Sequence, residues 1–431
     1  MSLVGLDPLL VLLGSFGLLV ALQVPIAFAL GLSGAAVLYT TQMGFRMLAD
    51  LMFANIAKFS LLAIPFFILA GVIMGETGIA ERIVRFVKLL VGQAVGGLAV
   101  VTVLVGMFWG AVSGSGPASV AALGPILIPA MGKEGYERSF ATSITCMAAA
   151  LAIVIPPSIA LVVYGVLAET SIARLFLAGI VPGVLVGLFL IGYAVWLSRK
   201  HGWRGGTRGS WRDLWIAGKD AFWGLLTPAI ILGGVYGGVV TPTEAAVVAV
   251  MWGLFVGGVI YRTLTVAKLY RILVEAATSS AVVMLVVAFA GVFAWVMATQ
   301  GIVDRMAQAL LSIASNPVTA LLVINLLLLI LGMLMDAISI MYITLPILLP
   351  VARHFGWDPV WFGLVVTVNL AIGLVTPPVG INLYVGAHIA GVPFDRLASR
   401  VWPIVAVSVA ALLLLTYVPE ITLWLPRLVM G

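Results

Sequence analysis

Two short polar interruptions lie inside otherwise apolar sequence. The first reads Ser113-Gly114-Ser115-Gly116-Pro117-Ala118-Ser119, the second Met335-Asp336-Ala337-Ile338-Ser339, and each is followed downstream by a proline pair, Pro156-Pro157 or Pro377-Pro378. Glycines let the backbone turn sharply. Pro117 suits the first residue of a returning helix, and Asp336 suits the cap of the helix after it. Each proline pair removes amide donors and leaves carbonyls upstream without partners. Bare carbonyls, together with hydroxyls and amides nearby, are hard oxygen ligands for a small cation such as Na⁺. Helix N-termini, with free N–H groups and partial positive charge, suit a carboxylate. Asn369, Thr376 and Asn382 flank the second break and are further candidate ligands or supports for ligands. Each feature also has a plainer reading: the prolines as packing kinks, the glycine–serine tip as close helix contact, Asp336 as a cap alone and the amides as partners of loose carbonyls.

The elements that position these residues must lie in a membrane. Of 431 residues, 63% are apolar and 9% charged, against about a quarter charged in a soluble domain. Apolar runs of about 18 residues or more, each able to cross a bilayer as a helix, recur along the chain. Strand-like alternation of a membrane barrel is absent. The formal charge of +6 comes from dispersed arginines and lysines and does not point to nucleic acid. Cys146, the single cysteine, excludes an intrachain disulfide and a cysteine metal site. No nucleotide loop, nucleophile–base pair or spaced metal ligands appear, so ATP-driven pumping and enzyme chemistry are disfavoured. His388 is expected to be a packed neutral side chain.

Apolar runs span 8–40 (interrupted at Pro25), 51–75, 98–112, 117–131, 139–167, 174–198, 221–240, 243–261, 272–298, 318–335, 337–351, 359–390 and 398–425, with amphipathic pieces near 79–92 and 302–314. A shift of 221 residues lays Pro125 on Pro346, Pro129 on Pro350, Pro156-Pro157 on Pro377-Pro378, Gly165 on Gly386 and Pro182 on Pro403 without a gap. The chain therefore reads as an internal duplication: 1–200 as the first repeat, with a hairpin at about 98–131 and a broken helix at 139–167; a basic loop at 201–219; and 220–431 as the second repeat, with a hairpin at about 318–351 and a broken helix at 359–390. The hairpin arms are short for two crossings, so both hairpins are predicted to be re-entrant. Five crossings between them invert the second copy. On that topology, 16 of the 22 basic residues fall on one side, which the positive-inside rule makes cytoplasmic. Thr241-Pro242-Thr243-Glu244 reads as a capping-box helix start. Glu76, Glu169 and Glu275 are expected near segment ends, solvated or paired. The fold class is thus an all-α polytopic membrane protein of two inverted-topology repeats, each with a re-entrant hairpin and a proline-broken helix. Such broken helices meeting near the midplane are transporter architecture.

Over essentially its whole length the chain resembles the large membrane subunit of tripartite ATP-independent periplasmic (TRAP) transporters. The likeness is most specific at LLAIPFFILAG (61–71), GSGPASVAALGPILIP (114–129), AIVIPPSIALVVYG (152–165), GGVVTPTEAA (237–246) and LVTPPVGINLYVGAHIAG (374–391). The resemblance implies a multi-pass protein of the bacterial inner membrane, importing small organic anions with Na⁺ by an elevator mechanism. It implies a periplasmic binding protein and a separate small four-helix membrane subunit as partners. It further implies a moving domain of 98–167 plus 318–390, with the rest as scaffold. Cation ligation is implied near Ser113–Ser119 with Pro156–Ser158, and near Asp336–Ser339 with Gly373–Pro378. Substrate is expected at Ser113, Gly114, Ser115, Gly116, Pro117, Ser158, Thr376 and Asn382. Na⁺ is expected near Ser115, Ser119, Pro156, Pro157, Asp336, Ser339, Asn369, Gly373, Thr376, Pro377 and Pro378. A stand-alone anion/Na⁺ symporter or antiporter and an ion channel are the rival transport readings.

Overall fold

The computed structural model describes residues 7–203, 205–206 and 209–430, and all regular structure among them is helical. Among the described residues six helices are long and apolar enough to cross a bilayer, or seven if the bent pair Ile302–Ile313 and Pro317–Gly332 is one span. Length and composition cannot separate a re-entrant arm from a crossing helix. Ala337–His354, an arm of the second hairpin, has 18 residues and is one of the six. It rises about 27 Å, close to the roughly 30 Å of a hydrocarbon core.

The two halves of the chain follow the same element order. In the first half an amphipathic helix, Ile79–Val91, leads into the hairpin Gly97–Ser113 and Gly116–Lys133. A broken helix follows: Arg138–Ala150 with a short 3-10 turn, a gap at 154–158, then Ile159–Leu167. In the second half Ile302–Ile313 leads into Pro317–Gly332 and Ala337–His354, and then Pro359–Gly373, a gap at 374–380 and Ile381–Ala390. Both gaps contain a cis proline pair. Glycine permits the closest approaches. A Cβ on Gly110 would lie 2.9 Å from Ala152 Cα, and one on Gly332 would lie 2.9 Å from Gly373 Cα. Each hairpin is thereby pressed backbone to backbone against the broken helix of its own half.

Several boundaries differ from those the apolar runs predict. The 51–75 run is two elements, Arg46–Ile56 and a helix over 59–76, because Ala57 and Lys58 leave the helical path. The last run is likewise two, Phe394–Tyr417 and Pro419–Met430, since Pro419 cannot continue the first. The basic loop is shorter than 201–219. Ser210 and Asp213 form a capping box that starts a helix at Trp211, and Arg199 and Lys200 belong to the end of Ile172–His201. Polar residues at helix ends simply lower the hydropathy there. Arg204 and Arg208 of that loop lie outside the described residues.

Two helices expected in the scaffold pack elsewhere. Ile172–His201 lies against the first hairpin and both broken helices. Phe394–Tyr417 is bonded to the second broken helix and the second hairpin: Trp361 Nε1 donates to Leu415 O at 2.9 Å, and Asn325 Nδ2 to Thr416 Oγ1 at 3.1 Å. The segments 174–198 and 398–417 therefore belong by packing with the hairpins and broken helices. The surrounding layer is built from Ile26–Thr40, Arg46–Ile56, the 59–76 helix, Trp211–Tyr236, Pro242–Phe255 and Val266–Thr299, which pack on one another.

Candidate ion and substrate site

At the first tip Gly114 takes a left-handed conformation (φ +63°), which glycine adopts without strain. Ser115 is extended and begins the returning helix at Gly116, with Pro117 in its first turn. The Ser115 carbonyl accepts from Ser113 Oγ at 3.3 Å and Ser119 Oγ at 2.8 Å, so both hydroxyls hold the tip's own backbone. The tip also closes onto the first break: Ile159 N donates to Gly114 O at 3.4 Å. At the second tip Asp336 caps the returning helix, as its position predicts. Oδ1 accepts from the Ile338 and Ser339 amides, both at 3.0 Å, while Oδ2 accepts from Ser339 Oγ at 2.5 Å. Here too the tip meets its break, with Val379 N donating to Met333 O at 3.1 Å.

Both tips open on one cavity of about 780 Å³, lined by Ser113 to Ala118 of the first hairpin and Asp336 to Ile338 of the second. Its far wall belongs to the 63–76 helix and the middle of Val266–Thr299. Glu76, Glu81 and Glu275 line it as well. Glu76 is paired there with Arg271 (2.6 Å) and Lys268 (3.8 Å). Glu275 is not at a segment end, because its helix starts at Val266 and carries it onto the cavity wall. Ser279, one turn further, was not legible as a wall residue, since nothing in the 272–298 run marks which face looks inward.

The expected site residues divide into two groups. Ser113, Gly114, Ser115, Gly116, Pro117 and Asp336 line the cavity. Ser119, Ser158, Ser339, Asn369, Gly373, Thr376 and Asn382 are buried behind it. Ser158 bridges its own break, donating to Ile153 O at 2.5 Å and capping Ile159–Leu167 through Leu161 N. Thr376 donates to Ile372 O at 2.7 Å. Pro156 and Pro157 are buried, whereas Pro378 is exposed. His388 is exposed rather than packed, because its half-helix turns that face outward.

The two amides cross-link the core. Asn382 Nδ2 donates to Cys146 O at 3.1 Å, tying the second broken helix to the first. Asn369 Nδ2 donates to both Asn325 O and Asn325 Oδ1 at 2.9 Å. The Oδ1 atoms of Asn369 and Asn382 are buried and have no hydrogen-bond partner among the described residues. An unmet buried acceptor is unfavourable unless a ligand satisfies it, and a carbonyl-type oxygen is the right donor atom for a hard cation. The chain thus has oxygens that fit Na⁺. Replacing Asn325 by leucine strands the Asn369 amide, which should cost about 1–3 kcal/mol. The measurement is the thermal midpoint of the purified protein, and an unchanged midpoint would show that the network carries no weight. The Thr241–Glu244 capping box is formed as predicted, with Glu244 Oε2 accepting from Thr241 N at 2.7 Å and Glu244 N donating to Thr241 Oγ1 at 3.3 Å.

An all-helical multi-pass protein with two hairpin tips and two broken helices around one cavity is a membrane transporter. The chain belongs to the tripartite ATP-independent periplasmic transporter family, DctM component, whose model matches residues 13–421. It is therefore a large permease component of the inner membrane and not an enzyme. It is 43% identical over 421 residues to the isethionate TRAP transporter permease protein DctMQ of Oleidesulfovibrio alaskensis, covering 97% of this chain and 66% of that protein. It is 40% identical over 400 residues to the C4-dicarboxylate TRAP transporter large permease protein DctM of Pseudomonas aeruginosa, covering 93% of this chain and 94% of that one. With the sialic acid TRAP transporter large permease protein SiaM of Vibrio cholerae it shares 39% identity, covering 97% and 98%. Among solved structures, the YdaH transporter of Alcanivorax borkumensis matches with a TM-score of 0.63 at 17% identity, covering 98% of this chain and 100% of that chain. That likeness is one of fold.

Proposed function

We propose that this chain is the substrate-conducting subunit of a Na⁺-coupled importer of small organic anions, working by an elevator movement. The observation that carries the reading is the cavity itself: two hairpin tips and the helix ends that flank the two proline breaks, from both halves of the chain, line it, with buried acceptor oxygens left unmet behind the tips. The named substrates of the relatives, isethionate, C4-dicarboxylates and sialic acid, share an acidic group that is ionised at neutral pH.

In this reading one Na⁺ takes oxygens of the first tip and first break, near Ser115, Ser119, Pro156 and Pro157, with Asn382 Oδ1 as a further ligand. Another takes oxygens near Asp336, Ser339, Asn369, Gly373, Thr376, Pro377 and Pro378. The bound cations neutralise the backbone and Asp336 oxygens and leave the helix N-termini to attract the acid. The hairpins, the broken helices and the two helices packed on them, Ile172–His201 and Phe394–Tyr417, move as one body. Glu76, with Lys268 and Arg271, belongs to the side that the basic residues make cytoplasmic, so the cavity described above faces inward. A periplasmic binding protein delivers the acid, and a small four-helix membrane subunit braces the scaffold. The family's tripartite description and the longer DctMQ relative support both partners.

Proteoliposomes holding the chain and its small subunit, supplied with the cognate binding protein, should accumulate substrate only down an inward Na⁺ gradient. Equal uptake in K⁺, or uptake without the binding protein, would contradict this.

A further inference from the structure

The first hairpin joins the scaffold through Ile79–Val91, whose basic residues Arg82, Arg85 and Lys88 recur every three positions. The first turns of this helix are seated on scaffold helices. Ile79, Ile83 and Phe86 lie against glycines of Trp211–Tyr236: a Cβ on Gly224 would lie 2.6 Å from Ile79 Cγ2, and one on Gly218 would lie 3.2 Å from Phe86 Cε2. The Arg82 guanidinium sits 3.8 Å from the centre of the Tyr261 ring, and Arg85 reaches Asp220 at 3.9 Å. One turn on, the helix changes partner. Lys88 Nζ donates to Glu134 Oε1 at 2.9 Å, and Glu134 ends the first hairpin. That end belongs to the body proposed to move. Tyr136 and Phe140 pack there on Trp203, just past Ile172–His201, with ring centres 4.6 and 5.4 Å apart.

Between the helix and the hairpin lies a joint at 92–97, and it is folded tightly. A Cβ on Gly97 would lie 2.1 Å from Gly92 O, and Gly96 is left-handed (φ +75°). Residues that follow Ile172–His201 pin the joint: Gly206 N donates to Gly92 O at 3.1 Å, and Gly96 N to Trp203 O at 3.3 Å. A body that travels away from a scaffold-bound helix must stretch this joint and part Lys88 from Glu134. Glu134 Oε2 is buried without a hydrogen-bond partner among the described residues, and Lys88 is the one cation among them that its carboxylate reaches. The second half has no counterpart. A shift of 223, which aligns Gly78 with Gly301, lays Lys88 on Leu311, and the shift of 221 lays Glu134 on Phe355. The pair therefore favours one end of the movement only. We infer that Lys88 and Glu134 form a latch on the inward-facing state, closed across the glycine joint and released when the body moves outward.

This inference rests on the elevator reading above, and its test uses two reporter positions in a Cys146→Ala background. Ala121→Cys places a thiol on the wall of the present cavity. Tyr342→Cys, at the repeat-equivalent position, places one that is buried here and that the inverted repeat turns onto the outward cavity. Each purified protein is alkylated with a maleimide, and the ratio of the rate at 121 to the rate at 342 follows the inward-to-outward balance. Ile343→Cys, equivalent to Ala122 on the same wall, replaces Tyr342→Cys if loss of the tyrosine unfolds the protein. Lys88→Met and Glu134→Gln should each lower the ratio about fivefold, the most that a partly exposed ion pair is ordinarily worth. The exchange Lys88→Glu with Glu134→Lys should restore most of it. Unchanged ratios in both single variants overturn the latch. So does a fall that the exchange fails to restore, because lost packing alone would give it. Neither result touches Na⁺ coupling, which uptake decides. An outward reporter that never reacts in a protein with normal uptake overturns the elevator movement, and the latch with it.

Discussion

Asp336→Ala is expected to reduce uptake by about a hundredfold or more. Its carboxylate accepts three hydrogen bonds, from Ile338 N and Ser339 N at 3.0 Å and from Ser339 Oγ at 2.5 Å. Bonds to a charged acceptor are worth about 1.5–3 kcal/mol each. Loss of even two therefore loosens the tip by about 3 kcal/mol, which corresponds to the hundredfold. Asp336→Asn separates the roles. Asparagine is as good a cap as aspartate, but it carries no charge for a cation. It should recover most of the protein's thermal stability while raising the Na⁺ concentration needed for half-maximal uptake. If Asp336→Asn transports at the parental Na⁺ requirement, the residue is a cap and nothing more.

Gly373→Val should prevent the protein from reaching its folded state, seen as loss of the monodisperse peak in detergent. A Cβ at this position would sit 2.6 Å from Gly332 Cα and 3.0 Å from Gly332 O, both backbone atoms of the second hairpin. Overpacking that side chains can relieve costs about 1–3 kcal/mol. Here a helix and a hairpin arm would have to separate, and the contact between the second tip and its break would be lost. Gly332→Val meets the same wall from the other side and should behave alike. Gly132→Ala is the control, since nothing lies within 4 Å of a Cβ there. A well-folded, active Gly373→Val protein would mean that the hairpin and broken helix are not pressed together as described.

The sequence carried the framework because prolines and glycines punctuate apolar helices at fixed places. The tips at Gly114–Ser115 and Asp336, both proline breaks and the Thr241–Glu244 cap could be read directly, since each rests on a local backbone rule. The division of the expected ligands into cavity wall and hidden support could not. Ser158 and Thr376 are polar residues beside a break and Ser339 one beside a tip, and only the fold shows that their hydroxyls are spent on nearby backbone or on Asp336. Packing partners were equally hidden. Ile172–His201 and Phe394–Tyr417 are as apolar as any scaffold helix, and their place beside the broken helices depends on contacts such as Trp361 with Leu415. Nor does an apolar run announce which face lines a cavity, so the run 272–298 marks neither Ser279 nor Glu275 as a wall residue.

The proposed transport cycle requires the two hairpins to enter the membrane from opposite faces and to meet within it. Their bases can be tested one at a time, because Cys146 is the single cysteine and is buried. In a Cys146→Ala background, cysteine is placed at Lys133 or at His354, both exposed at the end of a hairpin. Each variant is then treated in intact cells with a membrane-impermeant maleimide, before and after permeabilisation. Inverted hairpins require that position 354 react in intact cells and that position 133 react only once the membrane is opened. If both positions label from the same face, the duplication is not inverted, and the shared ion and acid site loses its foundation.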